Sequence, residues 1–152
     1  MMRQHLKQMK NEKGMTLVEL LAVLVIIGII AAIAIPMIGN IIQNSKDKAI
    51  LSDAQMILSA AKIAYSNNEG TKETKTEGDK TTETGAIVFD HKVLQPYVDG
   101  VTLGPNDKVV YNNKEWTITY SKLEFIKNEN YKKAISSNSI TAKKLSTLLK
   151  GE

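Results

Sequence analysis

Residues 13–36 read KGMTLVELLAVLVIIGIIAAIAIP: after Lys13-Gly14 the chain turns apolar, and one ionisable residue, Glu19, lies just inside that run. From Met15 to Ile38 the only interruptions are Thr16, Glu19, Gly28 and Pro36. At ~1.5 Å per residue a helix of this length reaches about 36 Å, enough to cross a bilayer. A carboxylate at the centre of a membrane segment costs roughly 2.5–3.5 kcal/mol, so Glu19 calls for a partner or a function.

The stretch before the run is polar and basic. Arg3, Lys7, Lys10 and Lys13 against Glu12 put +3 of the chain's +4 into residues 1–14. The remainder is nearly neutral, which removes the strongly basic balance of a nucleic-acid-binding domain. With 152 residues the chain accommodates one modest domain plus one membrane-length segment. It has no cysteine, hence no disulfide framework, thiolate metal site or cysteine nucleophile.

Beyond the run, residues 39–66 become amphipathic. Ile50, Ala54, Ile57, Leu58, Ala61, Ala64 and Tyr65 recur at steps of three and four, while Lys48, Ser52, Gln55, Ser59, Lys62 and Ser66 hold the opposite face. Such a stripe expects a core to pack on. Residues 67–85, NNEGTKETKTEGDKTTETG, contain no large apolar residue and read as a flexible surface loop. Strand signals follow at Ile87–Phe89 and around Val93–Val98. A hairpin is expected in KVVYNNKEWTITY, turning at Asn112-Asn113-Lys114, and Leu123–Ile126 is a further strand candidate. Ser139 or Thr141 can cap a last helix carrying Leu145, Leu148 and Leu149. The expected fold class is α+β: a long N-terminal helix whose apolar first half is long enough to span a membrane, and a small head with an antiparallel sheet and short helices. Its divisions are 1–14 (basic leader), 15–38 (apolar helix), 39–66 (amphipathic continuation) and 67–152 (head, with the loop 67–85).

A basic stretch followed by an apolar one also begins a secretory signal peptide, and Ala32-Ile33-Ala34 offers a small-x-small cleavage pattern after Ala34. A single-span membrane-anchored surface protein is the other simple alternative, its basic flank kept in the cytoplasm. The length of the run, the acid at its front edge and the helical pattern continuing past Pro36 speak against the first. Glu19 has no place in the second.

Lys13-Gly14-Met15-Thr16-Leu17-Val18-Glu19 followed by apolar residues resembles the N-terminus of type IV prepilins and pseudopilins. The resemblance covers roughly the first 50 residues. It implies cleavage between Gly14 and Met15 by a membrane-embedded prepilin peptidase, N-methylation of Met15, and Glu19 as the family's assembly glutamate. Pro36 falls where the pilin helix is commonly kinked. Two departures are Met15 in place of the commoner phenylalanine and the absence of the C-terminal cysteine pair of many pilins.

Physical chemistry fits that resemblance. Cutting after Gly14 creates an α-amino group whose reference pKa of about 8 leaves it mostly cationic at neutral pH. Met15 and Glu19 are separated by ~6 Å of helical rise, so the carboxylate can meet its own terminus. The resemblance implies a second partner, the terminus of the neighbouring subunit, which would set axial register. Gly28 and Pro36 are both frequent in membrane helices; Pro36 also removes a hydrogen bond to the Ala32 carbonyl and is, with Gly28, the expected place of a kink.

No catalytic residues are expected. The histidines are His5 and His91, the latter read as a surface residue, and no phosphate-binding glycine loop or paired nucleophile and base is present. Glu77, Asp79 and Glu83 fit no calcium-loop spacing, so neither a metal nor a cofactor is expected. Trp116 and Tyr120 read as core or interface. Lys122–Lys150 carries seven lysines against Glu124 and Glu129; it is a candidate for DNA contact, against the more ordinary reading of a solvated face.

The expected function is a non-enzymatic pilin or pseudopilin precursor of a type IV pilus-like filament, for adhesion, motility or DNA uptake. Its expected partners are copies of itself in a helical filament, the prepilin peptidase, an assembly ATPase, a membrane platform protein and, before assembly, membrane lipid. It would begin as a single-pass membrane protein with a cytoplasmic leader and end in an extracellular filament.

Overall fold

The computed structural model describes the backbone of residues 2–151 and side chains from Gly14 to Gly151. The chain forms two compact units, residues 1–42 and 43–152. Residues 2–42 of the first unit are helix, the N-terminal part of α1 (Met2–Ser66), which therefore starts ahead of the expected Met15 and runs without interruption through Pro36. Every residue from Gly14 to Ile30 is exposed.

In the second unit α1 presents the stripe Leu51, Ala54, Ile57, Leu58, Ala61 and Ala64, all buried. On its outer side the hydroxyls of Ser52, Ser59 and Ser66 donate to the carbonyls of Lys48, Gln55 and Lys62. Compared with the expected stripe, Leu51 and Ala60 join the core, while Ile50 is half-buried and Tyr65 exposed. The helix ends on Asn68, whose φ of 56° is left-handed; the Asn68 N–H reaches Tyr65 O and the Glu69 N–H reaches Ala64 O. Those two bonds satisfy carbonyls that the helix would otherwise leave open.

A five-stranded antiparallel meander follows: β1 (Thr71–Glu77), β2 (Lys80–Asp90), β3 (Lys108–Asn112), β4 (Glu115–Thr119) and β5 (Ser139–Thr141), in spatial order 1-2-3-4-5. Cross-strand register aligns Phe89, Val109, Ile118 and Ile140 in one buried row across four strands. A second row, Ile87, Tyr111 and Trp116, lies two residues along. Period-2 alternation sends these side chains to one face, and the α1 stripe closes the core with Leu94, Tyr120, Leu123, Ile126 and Leu145. The β3–β4 turn is Asn113-Lys114, with φ of 48° and 66°. Positive φ at both central residues is what a two-residue turn between twisted strands requires, and asparagine tolerates it.

Three sequence-based expectations are corrected. Residues 67–85 are not a loop for most of their length but the hairpin β1–β2, turning at Gly78-Asp79 and fully exposed on β1. Composition ruled out burial there, yet a strand pair needs only its backbone ladder and compatible cross-strand neighbours. Thr76 faces Thr81, and the Lys72 ammonium lies 3.4 Å from Glu83. Leu123–Ile126 is not a strand: Ser121–Phe125 is a 3₁₀ turn that buries Leu123. Val93–Val98 likewise coils into α2 (His91–Leu94) and a 3₁₀ turn at Gln95–Tyr97, because the Asp90 carboxylate caps the Lys92 and Val93 N–H groups. The last helices are α3 (Glu129–Lys132) and α4 (Ala142–Lys150); of the two expected caps Thr141 is the one used, Ser139 being in β5.

Three polar side chains, half-buried Gln95 and buried Asp107 and Asp47, tie the irregular segments down. The Gln95 amide donates to Val101 O and accepts from the Leu103 N–H, both at 2.8 Å. Asp107 accepts from the Gly104 and Ser121 N–H groups at 2.7 Å. Asp47, fully buried, accepts from the Gln43 amide and from the backbone N–H groups of Lys127 and Asn128.

Candidate assembly segment

Gly14, Met15, Glu19, Gly28 and Pro36 all lie on α1 within the first unit. Gly14, Met15, Val18 and Glu19 line one shallow face at the i, i+1, i+4, i+5 positions of a helix. Gly28 is ~14 Å of helical rise beyond Glu19, and Pro36 a further ~12 Å. The structure therefore groups Gly14, Met15 and Glu19 and leaves the other two apart.

A glycine inside a helix costs about 0.5–1 kcal/mol relative to alanine. Among the described residues a Cβ at Gly14 or Gly28 would meet nothing within 4 Å, so packing among them asks for neither glycine. Both await a reason outside the fold. Pro36 leaves the Ala32 carbonyl without its helical donor.

The apolar side chains around these residues are uncovered: Met15, Leu17 and Val18 are each more than 60% exposed, and the pattern continues through Ile42. A helix apolar on all sides belongs in lipid or among other chains. It is the one helix among the described residues that is long and apolar enough to cross a membrane. Glu19 is exposed on it, and among the described residues no cation lies within ion-pair distance of its carboxylate.

Residues 9–35 match the prokaryotic N-terminal methylation motif. The chain carries the type IV prepilin and pseudopilin signature. The matched motif spans Gly14, Met15, Glu19 and Gly28, ends just before Pro36, and covers under a fifth of the chain. No solved structure matches the chain.

Elsewhere the sequence reading needs adjustment. His91 is half-buried rather than a surface residue, and its Nδ1 is enclosed without a hydrogen-bond partner. Tyr120 is core, whereas Trp116 is half-buried in an aromatic cluster with Tyr65, Phe89 and Tyr111. Glu77, Asp79 and Glu83 are exposed on the β1–β2 hairpin. The seven lysines of residues 122–150 are all exposed. Missed altogether was Phe125, 62% exposed although its neighbours Leu123 and Ile126 are buried. The period of LEFI resembles a strand, and only the 3₁₀ geometry turns Phe125 outward.

Proposed function

We propose that the chain is the precursor of a type IV pilin-like filament subunit. A prepilin peptidase cuts between Gly14 and Met15, Met15 is N-methylated, and the apolar part of α1 first spans the membrane and then packs against other copies in a helical filament. The observation that carries this reading is the methylation motif at residues 9–35 lying on a helix whose apolar side chains from Met15 onward are covered by nothing among the described residues. The role is structural rather than catalytic. An assembly ATPase and a membrane platform protein are the partners that the motif implies, and adhesion, motility or DNA uptake are the uses open to the filament.

In this reading Glu19 supplies the polar partner for the charged terminus of a neighbouring subunit. Desolvation can cancel the attraction of a buried ion pair, so its contribution is axial register rather than stability. Gly28 and Pro36 provide a place where the helix can bend or stretch when subunits pack.

N-terminal sequencing of the mature protein tests the proposal. A chain beginning at N-methylated Met15 is expected, and Gly14→Val should leave full-length precursor in the membrane. A chain beginning after Ala34 would replace this reading with a secreted domain released by signal peptidase. An uncut membrane protein would replace it with a plain anchor.

A further inference from the structure

The second unit carries a surface feature that the filament reading does not use. Phe125 projects from the 3₁₀ turn Ser121–Phe125 over a shallow concavity of about 420 Å³ that includes Lys46, Ile50, Lys127 and Lys132, with Glu124 as its only acid. The turn is not loose. Leu123 and Ile126 on either side are buried, and Asp47 holds the next two residues through the N–H groups of Lys127 and Asn128. Asn128 Nδ2 adds a bond to Asn44 Oδ1 at 3.1 Å. The aromatic ring is thus presented by a fixed support, with ammonium groups around it. Among the described residues Lys46 and Lys127 have no carboxylate within ion-pair distance, while Lys132 lies 3.0 Å from Glu129.

Chain connectivity places this patch. Lys46 is four residues beyond Ile42, where the run of exposed large apolar residues ends. At no more than about 3.6 Å per residue, Lys46 stays within ~15 Å of Ile42 whatever the path between them. The interfacial layer of a bilayer is roughly 5–8 Å thick on each side. Cations act across a further Debye length, ~8 Å at physiological salt. A lysine so tethered is within reach of lipid headgroups whenever the apolar run occupies the bilayer.

We propose that Phe125, Lys46, Lys127 and Lys132 form a contact surface for anionic phospholipid headgroups, on which the second unit rests before the subunit leaves the membrane. This rests on the reading of the exposed apolar run, which continues through Ile42, as the part of α1 held in the membrane. The chemistry is that of an interfacial anchor: an aromatic ring at headgroup depth, and lysines whose stems lie along apolar surface while their charges meet phosphate. The excess of cations favours an anionic lipid over a second copy of the chain, since a copy would have to bring a matching acidic face. Release from this surface would then accompany entry into the filament.

Full-length protein in nanodiscs of phosphatidylcholine, with or without phosphatidylglycerol, provides the test, read by hydrogen exchange. Amides of residues 121–133 should exchange about tenfold more slowly in the anionic discs, a factor that one to two net lysines supply near such a surface. The β2–β3 amides should not respond. Phe125→Ser and Lys127→Glu should each remove the difference, with melting temperature unchanged because both side chains are exposed. Equal exchange in the two lipids overturns the proposal. Protection that ignores lipid charge and appears only with several copies per disc also overturns it, and assigns the patch to a second copy. Resistance of the protein to alkaline extraction from the discs is scored separately: if that fails, the span reading has failed rather than the patch.

Discussion

The Asp47 carboxylate of α1 and the backbone of Asn128, 81 residues apart, meet at 2.8 Å through Oδ2 and the Asn128 N–H. The Lys127 N–H reaches the same oxygen at 3.2 Å, and the Gln43 amide reaches Oδ1 at 2.8 Å. One fully buried side chain thereby satisfies two backbone donors just ahead of α3 and fastens that segment to the helix. Asp47→Ala would strand both donors away from water, at a cost of about 1–3 kcal/mol. Thermal unfolding of a protein lacking residues 1–38, a deletion that removes none of the buried core side chains, should show a melting temperature lower by several degrees. An unchanged transition would mean that water replaces the carboxylate there.

Gly70 lies between α1 and β1 with φ at +132°, and a Cβ on it would come within 2.8 Å of Ile87 Cγ2 and Phe89 Cε1. Phe89 belongs to the buried row and cannot yield freely. Gly85 also has positive φ, +77°, but a Cβ there meets nothing within 4 Å. Gly85→Ala should cost about 1–2 kcal/mol for the left-handed backbone alone. Gly70→Ala, adding a clash to the strain, should cost visibly more in urea midpoint. The reverse order would show that the Phe89 ring repacks.

These two sites mark where the sequence could and could not be read. The α1 stripe and the β3–β4 turn were legible because each rests on a local rule: a period of 3.6 for Ala54, Ile57, Leu58 and Ala61, and left-handed tolerance at Asn113. The methylation motif at residues 9–35 was legible through its resemblance to a known pattern, which lies within one short stretch of chain. Asp47 was not, because it sits in the polar run Ser45-Lys46-Asp47-Lys48 and looks like any solvated charge until Asn128 arrives from the far end of the chain. The β1–β2 hairpin escaped because its threonines and charges say only that nothing is buried, whereas its order comes from a backbone ladder beside β3. Gln95, Asp107 and Phe125 share that difficulty: their roles depend on neighbours brought by the fold.

Ile57 is fully buried and Ile63, on the same helix, is 49% exposed. Truncating the first to alanine should cost about 2–5 kcal/mol, including the cavity left behind. Ile63→Ala should stay within about 0.5 kcal/mol, as surface changes generally do. Similar losses from both in a denaturant titration would mean that the exposed face of α1 is covered in solution.

The Tyr120 phenol is pushed well above its ordinary range, first by burial and then by the Asp53 carboxylate, whose Oδ2 accepts its hydroxyl at 3.4 Å. The fold thus holds the phenol neutral where the unfolded chain ionises it. That contribution is complete below the unfolded value of about 10 and is lost as pH rises above it. Stability above about pH 10 should therefore fall less steeply in Tyr120→Phe than in the parent. Parallel alkaline limbs in the two proteins would remove Tyr120 as a cause of base-induced unfolding.

Glu19 is the one carboxylate within an apolar run that the described residues leave uncovered, and in the filament reading it answers the charged terminus of a neighbour. Glu19→Ala makes the segment more apolar, so membrane insertion should persist. The residues bordering the Gly14–Met15 bond are unchanged, so cleavage should also persist. The apolar contacts between helices remain, but nothing selects among their axial registers, since side chains such as Leu, Val and Ile pack almost equally well one turn up or down. Processed subunit should therefore accumulate in the membrane while filament on the cell surface falls sharply, and wild-type subunits expressed alongside should rescue incorporation only in part. Shearing cells and immunoblotting the sheared and membrane fractions separates these outcomes. Normal amounts of sheared filament from Glu19→Ala cells would leave the carboxylate with no part in register and confine it to the electrostatics of the first helical turn after cleavage, where a negative charge is worth about 0.3–1 kcal/mol.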